Sequence, residues 1–296
     1  MKVFLTGASG LLGHAISAAL NHSNHHVVSV WHKTPIHGSP EDIIELDLTA
    51  PHALEKALLK TQPDAIINAA ALSAPADCER DPKRSEALNV TLPATLAKYA
   101  ADQDVRLIHF STDMVFDGQE GSYTPDSPTN PTNLYGKHKL ASEIQLREIC
   151  PSSCTLRLPL LMGNSPSGIR SVHEALWSMW QQNKVTPLFE DEWRMPVSVS
   201  NVAALSKELL SKPKIAGLFH WAGNTRINRW EMGTLIAEKL GVPISLLQKT
   251  RASAFPQFKD RPLNLTMDSS KLKALVQTEP VPFESQLEEI EIPPSF

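Results

Sequence analysis

A chain of 296 residues with a formal net charge of −4, 42% hydrophobic and 20% charged, can bury one large core, or one core with a smaller appended lobe. That balance offers no basic footprint for nucleic acid, and no apolar run approaches the roughly 20 residues that a membrane span needs. Three cysteines without metal-ligand spacing argue against a disulfide frame or a zinc site, and Met1 leads straight into a first strand with no room for a signal peptide, so the expected location is cytoplasmic.

Residues 2–6 read as a short buried strand that runs into Gly7-Ala-Ser-Gly10-Leu-Leu-Gly13. After it Leu11, Leu12, Ile16, Ala19 and Leu20 recur with helical spacing, so the glycines lie at a strand-to-helix turn. Such glycines permit a tight turn and let the backbone approach a pyrophosphate, whose charge the free N–H groups of the helix favour. The spacing is G-x-x-G-x-x-G, so the dinucleotide fingerprint is not met literally, and an ordinary glycine turn is the competing reading.

Further strands are expected at 26–31, 42–47, 64–68, 105–110 and 155–158, apolar enough to be buried on both faces as in a parallel sheet. Helices are expected at 53–61, 85–101, 135–147, 169–182 and 201–210. This alternation implies an α/β fold, a doubly wound parallel Rossmann sheet, with ligands in the crevice at the carboxyl ends of its strands. Asp47, Asn68-Ala-Ala-Ala71, Thr112 and the Gly7 loop all fall at such ends and are expected to converge. The dinucleotide-binding domain is placed at 1–158 with a returning segment at about 189–217, and a smaller C-terminal substrate-binding lobe at 159–188 and 218–296.

Pro125, Pro128 and Pro131 punctuate a long polar connection between Thr112 and Tyr135, which reads as a substrate lid, with a solvated surface loop as the alternative. Beyond it, Tyr135-Gly-Lys-His-Lys139 puts a phenol and an ammonium one helical turn apart. A phenol has an ordinary pKa of about 10, and a nearby cation lowers it toward usable acid–base chemistry. His22, His25 and His26 lie at the opposite end of the sheet and read as surface residues, and His138 as structural. Trp177 and Trp180, with Leu176 and Met179, form an apolar stripe expected to pack as core.

Together these residues resemble the extended short-chain dehydrogenase/reductases, and within them the dTDP-4-dehydrorhamnose reductase (RmlD-like) sugar-nucleotide reductases. The resemblance rests on Gly7-Ala-Ser-Gly10-Leu-Leu-Gly13, Asp47-Leu48, Asn68-Ala-Ala-Ala71, Cys78-Glu-Arg-Asp-Pro82 and Asn89-Val90. It continues through Ser111-Thr-Asp-Met-Val-Phe-Asp-Gly118, Tyr135-Gly-Lys-His-Lys139, Arg157, Arg194-Met-Pro-Val197 and Arg261-Pro-Leu-Asn264. It implies an NAD(P)-dependent oxidoreductase in which Thr112, Tyr135 and Lys139 form the catalytic trio. Gly7, Gly10, Leu11, Leu12 and Gly13 would serve the pyrophosphate, Asp47 and Leu48 the adenine, and Ala70 and Ala71 the cofactor groove. Tyr135 and Lys139 would meet the cofactor as well, Asn89 would hold a supporting hydrogen bond, and Thr112, Asp113 and Leu160 would face the substrate.

The second strand ends Val30-Trp31-His32-Lys33, with no carboxylate for an adenine-ribose hydroxyl, so Lys33 is expected at a 2′-phosphate and NADPH is expected over NADH. Met114 stands where the family has tyrosine, and Leu160 where its rhamnose-pathway members have tryptophan. The substrate class implied is a nucleotide-linked keto-sugar, with no metal, no nucleic-acid or membrane partner, and a homodimer admissible. An epimerase or dehydratase would use the same trio. A second class is a regulatory, dinucleotide-binding subunit similar to the methionine adenosyltransferase beta subunit.

Overall fold

The computed structural model describes residues 1–32, 34, 42–256 and 261–292. In chain order the first half comprises β1 (Lys2–Thr6), α1 (Leu11–Asn21), β2 (His26–Trp31), β3 (Ile43–Glu45), α2 (Pro51–Thr61), β4 (Ala65–Asn68), α3 (Pro75–Arg80) and α4 (Pro82–Glu86). A π-helical turn (Ala87–Thr91) joins α4 to α5 (Leu92–Gln103), and β5 (Arg106–Thr112), α6 (Leu134–Ile149) and β6 (Cys154–Leu158) follow. The second half adds β7 (Leu161–Met162), α7 (Val172–Gln181), β8 (Thr186–Phe189), β9 (Trp193–Arg194), β10 (Val197–Ser198), α8 (Val199–Leu210) and β11 (Gly217–His220). It closes with β12 (Ile227–Asn228), α9 (Arg229–Lys239), β13 (Leu247–Thr250), α10 (Ser270–Lys273) and α11 (Phe283–Glu289).

Seven strands form one sheet in the order β11-β6-β5-β4-β1-β2-β3, every pair parallel. Parallel strands need crossovers that cover both faces, which is why these segments are apolar without alternation. Successive residues of β1 still go to opposite sides: Val3 and Leu5 join the core beneath α1 and α8, whereas Phe4 joins the one beneath α2 and α5. Ile67 and Ile66 of β4 divide in the same way. At about 1.5–3 kcal/mol for each large apolar side chain fully buried, these two cores supply most of the drive to fold.

Local signals set the helix starts. Pro51 opens α2 at a position where its missing N–H costs nothing. Asn133 caps α6, its Oδ1 accepting from the Gly136 N–H at 2.9 Å, which starts the helix at Leu134 and sets Tyr135 in its first turn. Reciprocal capping boxes, Ser171 with Glu174 and Asn228 with Glu231, open α7 and α9.

A third apolar cluster joins α7, α9 and α11, with Trp180, Met232, Ile236 and Phe283 buried and Trp177 packed against them. The pairs β10–β7, β12–β9 and β13–β8 accompany it. One boundary differs from expectation: Gly217–His220 pairs with β6 in the large sheet, and Leu272 of α10 enters the core beneath α8, so the returning chain reaches past 217. The connection from Thr112 to Tyr135 differs too, being fastened rather than lid-like. Phe116 and Tyr123 are buried and stack at 4.0 Å, Tyr123 bridges to Met267, and the Asn130 N–H donates to the Val115 carbonyl. Among the described residues, no helix is long and apolar enough to cross a membrane.

Candidate active site

A crevice of about 710 Å³ opens along the carboxyl edge of the sheet. Its floor is built by close approach of two strand ends. Gly7 has φ +71°, and a Cβ there would come within 2.7 Å of the Ala69 carbonyl and the Ala70 nitrogen. Only glycine relieves both constraints. A Cβ on Gly13 would fall onto the Gly7 carbonyl, so that glycine lets α1 press against the turn and does not itself line the crevice. Gly10 caps α1 without any side-chain hydrogen bond, leaving the first N–H groups of the helix free for an anion beside Gly10, Leu11 and Leu12. A pyrophosphate fits this cradle.

Of the other residues expected at a cofactor, Asp47, Leu48, Ala70, Ala71 and Tyr135 line the crevice. Lys33 lies outside the described residues. The Asp47 carboxylate accepts from the Thr49 N–H at 2.9 Å and the Thr49 hydroxyl at 2.7 Å, bonds that hold its pKa below the ordinary value. His32 and Arg84 line the same end, and the Arg84 Nε is buried without a partner. The crevice wall 70–74 is held from behind by Asn89: its Oδ1 accepts from the Leu72 N–H at 3.1 Å, and its Nδ2 donates to the Leu72 carbonyl at 3.0 Å.

Thr112, Asp113 and Tyr135 share the opposite wall with Met114 and Leu160. The Thr112 hydroxyl donates to Asp113 Oδ1 at 3.1 Å and accepts from the Met114 N–H at 3.2 Å. Lys139 is 1% exposed and lies behind that wall, its Nζ 3.2 Å from His109 Nε2. This corrects one expectation. Burial, then the Asp113 charge, pushes the Tyr135 phenol above its ordinary pKa, against a Thr112 hydrogen bond, rather than a cation drawing it down. Lys139 itself is lowered to about 8 by burial, with Glu143 pulling the other way.

Burial raises Asp113 to about 6, although Arg194, the Thr112 hydrogen bond and Arg229 oppose it. A carboxyl whose folded pKa exceeds its ordinary 3.8 stabilises fully below that value and loses its contribution as pH rises through about 6. Asp113→Asn is therefore expected to gain on the native chain, by on the order of 2–3 kcal/mol, between about pH 4 and about pH 7. Urea titrations at both pH values measure this, and a gap that does not change with pH would refute it.

Two buried carboxylates outside the crevice lining, Glu192 and Glu143, carried no local signal. Glu192 is fully buried and receives Arg194 at 3.0 Å, Arg229 at 2.9 Å and Arg261 at 2.5 Å. Burial alone would raise this carboxyl, but the guanidiniums of Arg229, Arg194 and Arg261 outweigh it and hold the pKa at about 2. Glu143 and Arg157 form a second buried pair at 2.7 Å, and Ser111 donates to the same carboxylate. His109 was detectable in principle, as a histidine within an apolar strand. His138 is structural, its Nδ1 2.8 Å from the Ser85 hydroxyl.

A glycine turn and uncapped helix start on one wall, facing a threonine, an aspartate and a tyrosine with a buried lysine behind, define an NAD(P)-dependent oxidoreductase of the short-chain dehydrogenase/reductase type. Comparison with known proteins is specific. The chain belongs to the RmlD substrate binding domain family, which matches residues 1–291. Methionine adenosyltransferase 2 subunit beta of Mus musculus is 33% identical over 97% of this chain and 86% of its own length. A probable low-salt glycan biosynthesis reductase of Haloferax volcanii is 30% identical, over 92% of this chain and 91% of its own. Among solved structures, a hypothetical dTDP-4-dehydrorhamnose reductase from Sulfolobus tokodaii superposes with a TM-score of 0.81 at 29% identity, covering 95% of this chain and 97% of that one.

Proposed function

We propose that the protein reduces the carbonyl of a nucleotide-linked keto-sugar, with a nicotinamide dinucleotide in the crevice. The observation that carries this reading is the presence of Thr112, Asp113 and Tyr135 on the wall facing the Gly7 turn. The bound dinucleotide would supply hydride. The residues do the rest: the Thr112 hydroxyl holds the carbonyl oxygen, and Tyr135 gives that oxygen its proton. A phenol with a raised pKa is fully protonated at neutral pH, which suits it to donation onto an alkoxide, a stronger base still. Lys139 supports Tyr135 from behind and would hold the nicotinamide ribose. Arg170 and Arg229 line the crevice beyond Tyr135 and suit the phosphates of a nucleotide sugar. Incubation with a panel of nucleotide-keto-sugars, followed by nicotinamide absorbance, tests the reading; no turnover on any member would remove it.

NADPH is the cofactor proposed over NADH. No carboxylate follows Trp31, and His32 and Arg84 bring positive or neutral donors to that end. The expected preference is about tenfold, or roughly 1.4 kcal/mol, in calorimetric dissociation constants. Equal constants would end it.

Leu160 lines the crevice and also packs on the third apolar cluster, so the rhamnose-pathway tryptophan is replaced by core-filling aliphatic surface. A stacked aromatic is worth about 0.5–1.5 kcal/mol beyond its area, or roughly two- to tenfold. Poor efficiency on dTDP-4-dehydrorhamnose, partly restored by Leu160→Trp, is expected. High native efficiency that Leu160→Trp reduces would return that compound to first place.

The likeness to methionine adenosyltransferase 2 subunit beta supports a second reading, in which the crevice binds a dinucleotide in a regulatory subunit. Copurification with a synthetase, without turnover on the sugar panel, would favour it.

A further inference from the structure

Behind the crevice wall a line of hydrogen bonds runs from the Gly7 turn to Lys139. Ala70 N–H donates to Thr6 Oγ1 at 3.3 Å, and the Thr6 hydroxyl donates to Asn68 Oδ1 at 2.6 Å. Asn68 Nδ2 then faces His109 Nδ1 at 3.0 Å, and His109 Nε2 lies 3.3 Å from the Ser142 hydroxyl and 3.2 Å from Lys139 Nζ. Ser142 spends its own hydrogen on the Lys139 carbonyl at 2.7 Å, so its oxygen can only accept. In this order His109 accepts at Nδ1 and carries its hydrogen at Nε2. An Nε2–H has no lone pair for an ammonium, so this arrangement suits a neutral amine beside it. A charged Lys139 needs the other arrangement: the imidazole hydrogen on Nδ1, and the Asn68 amide turned over to receive it.

We propose that His109 is a positioning residue whose tautomer is locked to the charge of Lys139, so that gain or loss of that charge turns the Asn68 amide at the crevice floor. The inference rests on reading Lys139 as the group that serves Tyr135. His109 is 1% exposed, and burial, then Lys139, holds its pKa well below the ordinary value, so it stays neutral and tautomer exchange is its remaining freedom. Lys139, at about 8, changes charge in an accessible range. Among the described residues, Glu143 on α6 is the ionisable group that acts on Lys139, with Arg157 on β6 behind it, and Tyr135 on the same helix is itself faced by Asp113 after β5 and Cys78 on α3. Asn68 lines the crevice, so a ligand that prefers one face of its amide also biases the charge of Lys139, and the coupling is reciprocal.

The test is long-range 1H–15N spectroscopy of the ligand-free full chain with 15N-histidine, from about pH 6 to about pH 10, because the two ring nitrogens report the tautomer directly. The His109 signals are those lost in His109→Gln. The expected result is a neutral ring throughout, with the Nδ1–H tautomer at low pH giving way to Nε2–H as Lys139 loses its proton. Lys139→Met is expected to hold Nε2–H at every pH, and Tyr135→Phe to keep the crossover. A single tautomer across the range in the native chain, or an unchanged crossover in Lys139→Met, overturns the proposal. Absence of turnover on the sugar panel would leave this result standing, and failure here would leave the proposed reduction standing.

Discussion

Tyr135→Phe is expected to retain cofactor binding while turnover falls by on the order of 10²–10⁴-fold, the share that general acid catalysis supplies. The ring is 9% exposed and is held by the Asn133 cap and the α6 packing, none of which involves the hydroxyl. Phenylalanine should therefore fill the same space. What disappears is the phenolic proton next to Thr112, which burial keeps in place at neutral pH. Lys139→Met should harm both turnover and cofactor affinity, because it removes the support of Tyr135 and the proposed ribose contact together. Calorimetry and single-turnover absorbance separate the two outcomes. Full activity of Tyr135→Phe on the true substrate would end the assignment.

The second large effect is on stability. Glu192→Gln removes the carboxylate charge that Arg194, Arg229 and Arg261 share, and Arg194 is itself only 3% exposed. Breaking a buried charge pair by removing one partner costs about 3–5 kcal/mol, since the surviving charge keeps its desolvation penalty. A loss of that size in urea, with an unchanged slope, is expected. The Glu192 carboxyl, held at about 2, contributes stability that is present above its ordinary 4.5 and is lost as pH falls through about 2, so the gap between variant and native should close in strong acid. A loss below about 1 kcal/mol at neutral pH would mean that water already screens the cluster. The same substitution should lower the Asp113 pKa, because Glu192 is one of the charges raising it.

The large sheet was readable because both-sided burial writes itself as unbroken apolar runs, such as Val3-Phe4-Leu5 and Ala65-Ile66-Ile67. The catalytic wall was readable for a different reason: Thr112 ends a strand, and Tyr135 and Lys139 are separated by one helical turn. Partners distant in sequence left no such mark. Trp193–Arg194 pairs with Ile227–Asn228 through two residues on each side, too few to show a period. Glu192 meets Arg261 and Asn89 meets Leu72 across 69 and 17 residues, and only the fold brings them together. The polar, proline-marked connection after Thr112 misled in the opposite direction. Its composition hides Phe116 and Tyr123, two anchors that outweigh the solvated residues around them.

The π-helical turn at Ala87–Thr91 makes this stretch of helix a place where the chain can change length. A π turn carries one residue more than the α-helix on either side needs, and helices that contain one can close into regular α geometry when that residue is deleted. Elsewhere in a buried helix a single deletion would rotate everything downstream by ~100° and misalign its core face. Here the deletion would repair the helix, and α5 could keep Leu92, Leu96 and Ala100 against the sheet. The loss would fall on Asn89, whose amide would swing away from the Leu72 backbone and free the crevice wall. Shortened forms of this chain would thus fold normally yet hold their cofactor poorly, a separation of foldability from fitness.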